Sequence, residues 1–246
     1  MSKSRAVQGL DAAVHDFCMR TRFFHEPMTE SRARMFVTQH RLNSRHRNSV
    51  LKLRVATNCP DWDIRLGIIG ACAEEIIADE THGGGKPHFE ILEDLGTYIG
   101  MERDEIRAAR PLRSTYMAWL AYDSLMSNAH WLLGLIGNTC AERANTPGYG
   151  NGVMKEHGWF GLEHHRWKEL FGLPDEKLVF FAIHEEADIE HSDLGWNTVV
   201  EHAARLNMED AVIEACRTNL MAWETYLNGI GDAADAVDRG EPAPYC

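Results

Sequence analysis

The sequence predicts an all-α protein: a single-domain bundle of about seven helices over residues 1–246, with its core at about 11–237. Three observations carry this reading. Apolar residues recur at helical spacing along nearly the whole chain. Strand signals are almost absent, since the one Asn-Gly pair (Asn151-Gly152) lies in a glycine-rich loop rather than between alternating runs. No Gly/Ser-rich linker, charge block or internal repeat divides the chain.

The elements follow in order. Glu30 to Ala56 has few breakers and carries Met35, Phe36, Leu42, Val50, Leu51, Leu53 and Val55 at helical intervals. Asn58-Cys59-Pro60 ends it, and Asp61 is a good N-cap for a helix from Trp62 to about Glu80. Gly83-Gly84-Gly85-Lys86-Pro87 breaks the chain before a short helix, His88 to Ile99, which Gly100 closes. Pro111 precedes a long apolar helix, about Ser114 to Arg143. The Thr146–Gly152 loop leads to a helix over about Val153–Leu170, and Pro174-Asp175 opens another that runs through His202. Met208 to Val237 supplies the last, and Gly240 to Cys246 reads as a frayed tail.

Composition narrows the function. Hydrophobic residues at 44% and charged residues at 25% are ordinary for a globular protein. Lys plus Arg number 25 against 37 Asp plus Glu, and a net charge of −12 argues against nucleic acid as a partner. The longest apolar runs, such as Leu178 to Ile183, are far too short to span a bilayer, so no membrane role is expected. Met1 to Asp11 has no apolar stretch of the secretory kind. The six cysteines stand singly, without zinc spacing or a disulfide framework, and a reducing cytoplasm is the expected location. Thirteen histidines is a high count, and the first hint of a specific site.

The strongest local signal is the run from His184 to His191. At about 100° per residue, His184, Asp188 and His191 fall within roughly a 60° arc of one helix face. Two imidazoles and a carboxylate on successive turns suit a transition metal, although the string alone also suits a solvated acidic face. Glu74-Glu75 sits in the apolar stretch Leu66–Ile77, where a buried acid needs a partner. Glu142 ends the most apolar helix, and His88 follows the glycine-rich break, with His82 before it. Carboxylates and acid/histidine pairs on facing helices are the recurring recipe for a dinuclear iron or manganese centre inside a bundle.

On these residues the chain resembles the haem-oxygenase-like diiron oxidases, within the superfamily of thiaminase-type and pyrroloquinoline-quinone-synthase-type proteins. It is most similar to the self-sacrificing para-aminobenzoate synthase branch. That branch carries His-Glu-Glu-Ala-Asp, then His after two residues, as His184 to His191 do here. Its Cys-Asp-Asp turn leads through an Arg to an Asp-Glu whose Glu is a ligand, and Cys59-Pro60-Asp61, Arg65 and Glu74-Glu75 fall at the same spacing. Its ligand His heads a His-x-x-Leu helix ending in Leu-Gly, a frame that His88, Ile91 and Ile99-Gly100 fit, and the count from Pro111 lands on Glu142. The resemblance covers about Glu30–His202 and implies six ligands: Glu75, His88, Glu142, His184, Asp188 and His191. The longer Glu75–His88 interval leaves His82 as a rival, and the loop after Thr146 is longer too.

The resemblance further implies two Fe(II) ions, with Mn as an alternative, and O2 as cosubstrate. The expected activity is a diiron oxidase or oxygenase of specialised metabolism, acting on a small amino-acid-like or carboxylate molecule. N-oxygenation, desaturation and oxidative C–C cleavage are the family's outcomes, with no catalytic residues expected beyond the ligands. The branch consumes one of its own tyrosines near the start of the chain, whereas no Tyr precedes Tyr98 here, so an external substrate is expected. An external electron donor and a homodimer are expected partners. Arg34, Arg41, Arg45 and Arg47 offer carboxylate anchors, His40 and His46 lie nearby, and Trp131, Trp159, Trp167 and Trp196 are expected in the core. The competing reading is a metal-free superfamily member: a cofactorless oxidase, or a thiaminase-type hydrolase using Cys140 near Glu142. Haem held by His15 or His25 is a third.

Overall fold

In the computed structural model the described residues form α-helices with short 3-10 and π-helical segments, and their only β structure is one isolated bridge. The structure describes residues 4–78, 80, 85–128 and 130–246, with side chains for all but 128, 186–191, 193 and 194. The helices are α1 (Arg5–Arg20), α2 (Glu30–His46), α3 (Lys52–Asn58), α4 (Trp62–Ile76), α5 (His88–Tyr98) and α6 (Arg103–Ala108). They continue as α7 (Arg113–Asn128), α8 (Trp131–Arg143), α9 (Gly152–Phe171), α10 (Val179–Leu206) and α11 (Glu209–Asp238). None of the described helices is long and apolar enough to cross a membrane.

Each of the seven expected spans holds a helix, but the chain shortens or divides several: the helix expected to run to about Glu80 ends at Ile76, and the one expected from Asp175 starts at Val179 after a short 3-10 turn. The expected Glu30–Ala56 helix is α2 and α3 joined by a π-helical turn, Arg47–Leu51. Such a turn inserts one extra residue into the ladder and re-phases the faces around it. The expected Ser114–Arg143 helix is cut into α7 and α8, and the His130 side chain accepts from the Leu132 N–H at the start of the second. Within α9, Gly158 takes φ 75° and bends the helix. A Cβ there would lie 1.9 Å from the Asn145 carbonyl oxygen, so that only glycine fits. The Asp61 cap forms as expected, its Oδ1 accepting from the N–H groups of Asp63 (3.1 Å) and Ile64 (3.2 Å). The tail does not fray. Arg113 N donates to Pro244 O at 3.0 Å and Cys246 N to Pro111 O at 2.9 Å, tying the end of the chain to the entry of α7.

Helix α11 runs along α1, α2, α7 and α8, and α8 packs in turn on α10, which packs on α9. Between them an aromatic block forms. Phe23, Phe36, Phe180, Phe181, Trp159 and Trp167 are all buried, each worth roughly 1.5–3 kcal/mol of hydrophobic stabilisation. Trp159 stacks on Phe160 at 4.5 Å, and Phe160 lies 4.6 Å from the His184 ring, so the block ends against the candidate ligands. The four tryptophans expected in the core are buried.

Candidate metal centre

Two of the site residues end or begin an inward stripe. On α4 the buried residues are Ile68, Cys72 and Glu75, at i, i+4 and i+7, so the acid is the last member of an apolar face. His88 is the first residue of α5 and shares its buried face with Ile91, Leu92 and Leu95. Glu142 closes α8, which is buried on nearly every side. His184 lies one turn after Phe180 in α10.

Glu75, His88 and His184 come together: one ligand atom from each lies within 4.8 Å of the others, and all three are buried. His88 Nδ1 is 2.9 Å from Glu75 Oε2, and the His88 and His184 rings are 4.6 Å apart. His184 Nδ1 lies 2.7 Å from the Phe180 carbonyl oxygen, which only a protonated Nδ1 can satisfy. The neutral ring then keeps its lone pair on Nε2, the arrangement a metal-binding imidazole needs. Burial above all, reinforced by His88, pushes the His184 imidazole down to about 3, so it is neutral at physiological pH.

Glu142 joins this group through a residue that sequence reasoning missed. Lys52, only 1% exposed, places its Nζ 3.0 Å from Glu142 Oε1 and 3.4 Å from Glu75 Oε1. Burial pulls the Lys52 ammonium down, but Glu142 and Glu75 more than offset this and raise it above its ordinary 10.5, so it is charged. Asn48 Nδ2 donates to Glu75 Oε2 at 2.8 Å. Burial pushes the Glu75 carboxyl up, yet His88 and Lys52 outweigh it and hold the group well below 4.5. Both new partners come from the π-helical turn and the residue after it. The available signal was that Asn48, Lys52 and Val55 share one helical face, and Val55 is core.

Asp188 and His191 lie on α10 beyond His184, but their side chains are outside the described residues, as is all of His82. Of the four candidate arginines, Arg34 bonds Glu30 and the Ile99 carbonyl, Arg41 pairs with buried Glu93 at 2.6 Å, and exposed Arg45 lies over Phe89. Arg47 alone turns into the site. With His40, Asn43, Asn48, Phe160 and Trp223 it lines a cavity of about 40 Å³ that also touches Glu75, Glu142 and His184. His40 is buried, stacked on Phe36 and 3.2 Å from the Tyr226 hydroxyl, and burial pushes it down to about 3. His46 stacks near Trp119 instead. Cys140 accepts from Asn219 Nδ2 at 2.9 Å and does not line the cavity, while His15 and His25 are exposed.

Comparison with known proteins sets this geometry in context. A family model described as iron-containing redox enzyme matches residues 34–224, more than three quarters of the chain. No curated protein matches. A solved structure from Shewanella denitrificans OS217, described as a domain of unknown function with a heme oxygenase-like fold, superposes with a TM-score of 0.77 at 14% identity. The match covers 100% of this chain and 99% of that one; at that identity the likeness speaks for the fold alone.

Proposed function

The chain belongs to the family of iron-containing redox enzymes, and on that premise we propose that it is a non-haem diiron oxidase or oxygenase that uses O2. The single observation that carries the reading is the buried Glu75–His88–His184 group, with His184 Nδ1 committed to the Phe180 carbonyl. A mixed nitrogen and oxygen donor set of this kind suits iron or manganese. Glu75, His88 and His184, with Glu142, Asp188 and His191, are the proposed ligands. Iron, when bound, supplies the reduction of O2.

The chain's own residues do the rest. Asn48 holds one oxygen of Glu75, and Phe160 packs against His184, so the ligands are oriented before anything binds. Trp159, Phe160 and Trp223 wall the cavity and exclude water. His88 and Lys52 hold the Glu75 carboxyl ionised, and the same Lys52 ammonium bonds Glu142, so both acids converge on one cation. The proposed substrate is a small amino-acid-like or carboxylate molecule, oxidised by N-oxygenation, desaturation or C–C cleavage with an external electron donor.

Lys52 also favours a second reading, a cofactorless oxidase, because its ammonium already satisfies both carboxylates. One experiment separates the two. Protein loaded anaerobically with Fe(II) is mixed with O2 and candidate amino acids or carboxylates, and O2 uptake and product mass are followed. Iron-dependent uptake that rises with one substrate class is the expected result. Equal uptake after exhaustive chelation would replace it with the cofactorless reading, and no uptake in any form would remove both.

A further inference from the structure

The cavity beside the candidate ligands contains a cation, Arg47, that has no counter-ion among the described residues. Arg47 is 5% exposed, and among the described residues no acidic side chain pairs with it. Its Nη2 donates to the carbonyl oxygens of Gly137 (3.2 Å) and Asn138 (2.6 Å), which fix the guanidinium plane, and its Nε–H has no partner. The Trp223 ring lies under it at 5.3 Å. The nearby carboxylates are engaged elsewhere, Glu75 by His88, Asn48 and Lys52, and Glu142 by Lys52. A buried charge with an orphaned donor is costly unless something anionic reaches it.

The space around Arg47 says what size of anion. The cavity of about 40 Å³ has room for a group the size of a carboxylate and for little more. Glu142, which borders this cavity, also borders a second space on its other side. That groove, about 440 Å³ and mostly apolar, runs between α4, α8 and α10 along Ile64, Ile68 and Leu135. Gly67 and Gly70 form its α4 wall, and a Cβ at either would meet nothing within 4 Å.

We propose that Arg47 is the substrate-carboxylate anchor of this site, and that the ligand is an organic carboxylate whose apolar body extends past Glu142 into the α4–α8–α10 groove. The planar guanidinium fork matches a carboxylate bidentately, which an amide or an alcohol cannot reproduce. The inference rests on the reading of this cavity as the substrate side of the iron site, and it narrows the substrate to one anionic head with an uncharged, apolar remainder.

Isothermal titration calorimetry with octanoate and with 1-octanol tests it, on metal-free protein so that only the chain's own cations can hold the anion. The wild type should bind octanoate at least 10-fold tighter than 1-octanol. Arg47→Gln should weaken octanoate at least 10-fold and leave 1-octanol unchanged, while Arg47→Lys falls between. Gly70→Leu, which narrows the groove from an exposed position and leaves every charge in place, should also weaken octanoate at least 10-fold. That variant keeps the test decisive if Arg47→Gln does not fold. Octanoate binding that is absent from the wild type, matched by 1-octanol, unaffected by a folded Arg47→Gln, or unaffected by Gly70→Leu overturns the inference. Iron content measured on the same preparations keeps the two readings apart. Protein that takes iron but not octanoate loses the anchor alone; protein that binds octanoate through Arg47 but takes no iron keeps the anchor and loses the iron centre.

Discussion

Replacing Lys52 by Met removes one charge at nearly constant volume and takes away the ammonium that Glu75 and Glu142 share. The distances give the scale. At an effective dielectric of about 20, charges 3.0 Å and 3.4 Å apart attract by about 5.5 and about 5 kcal/mol before desolvation is counted. The variant limits its loss by protonating a carboxyl, which from an ordinary value near 4.5 costs about 3 kcal/mol at pH 7. Removing one partner of a buried ion pair costs about 3–5 kcal/mol in general, so the two routes agree. For a chain of this length that is a fall in Tm of roughly 10 °C. The pH dependence has a definite sign. Without Lys52 the Glu75 carboxyl keeps His88 but loses the second group that holds it down and moves up, so the penalty is smallest at low pH and grows as pH rises. Thermal and urea unfolding of chelated wild type and Lys52→Met at pH 5 and pH 8 measures this, and Mn(II) should restore most of the loss at pH 8. A loss under about 1 kcal/mol, or one equal at both pH values, would refute the view that this lysine stabilises the buried carboxylates and helps hold Glu75 ionised.

Two further outcomes follow from groups outside the site. Burial pushes the Glu163 carboxyl up to about 7, only partly offset by Arg166, so its folded pKa is above the unfolded one. The resulting penalty is nil below about pH 4.5, grows through pH 7 and then levels at about 3 kcal/mol. Glu163→Gln should therefore gain stability at pH 8 relative to pH 5 in urea unfolding, and a variant whose gain is the same at both would contradict the assignment. Gly158→Ala should cost more than about 3 kcal/mol, because the new Cβ meets the Asn145 carbonyl at a positive φ. Calorimetry and the fluorescence of the adjacent Trp159 should both register it; an unchanged Tm would show that the α9 bend relaxes freely.

The helices were legible because an inward stripe leaves its period in the chain. What stayed hidden depended on geometry that local sequence does not encode. The π-helical turn at Arg47–Leu51 adds one residue inside a continuous apolar pattern, so the pattern still reads as a single helix. The C-terminal tail finds its partners at Pro111 and Arg113, more than 100 positions away, and read alone it is simply polar and rich in proline. In the site, Glu75 was visible because an acid on an apolar stripe stands out, and His184 because its neighbours recur at one-turn spacing. Lys52 was not. A lysine inside a helix ordinarily points to water, and its two partners lie 23 and 90 residues further on. Arg47 stood among four arginines, and only tertiary packing showed that Arg34 and Arg41 had partners elsewhere while Arg45 stayed at the surface.

The central claim is that Glu75, His88 and His184 hold iron, and metal stoichiometry tests it most directly. Protein reconstituted anaerobically with Fe(II), desalted and analysed for iron should carry about two ions per chain. His184→Ala should lower that number while the helical circular dichroism is retained, since His184 loses a ligand atom but the Phe180 turn keeps its backbone. Wild-type protein that retains no iron, or a His184→Ala variant that retains as much as the wild type, would contradict the account.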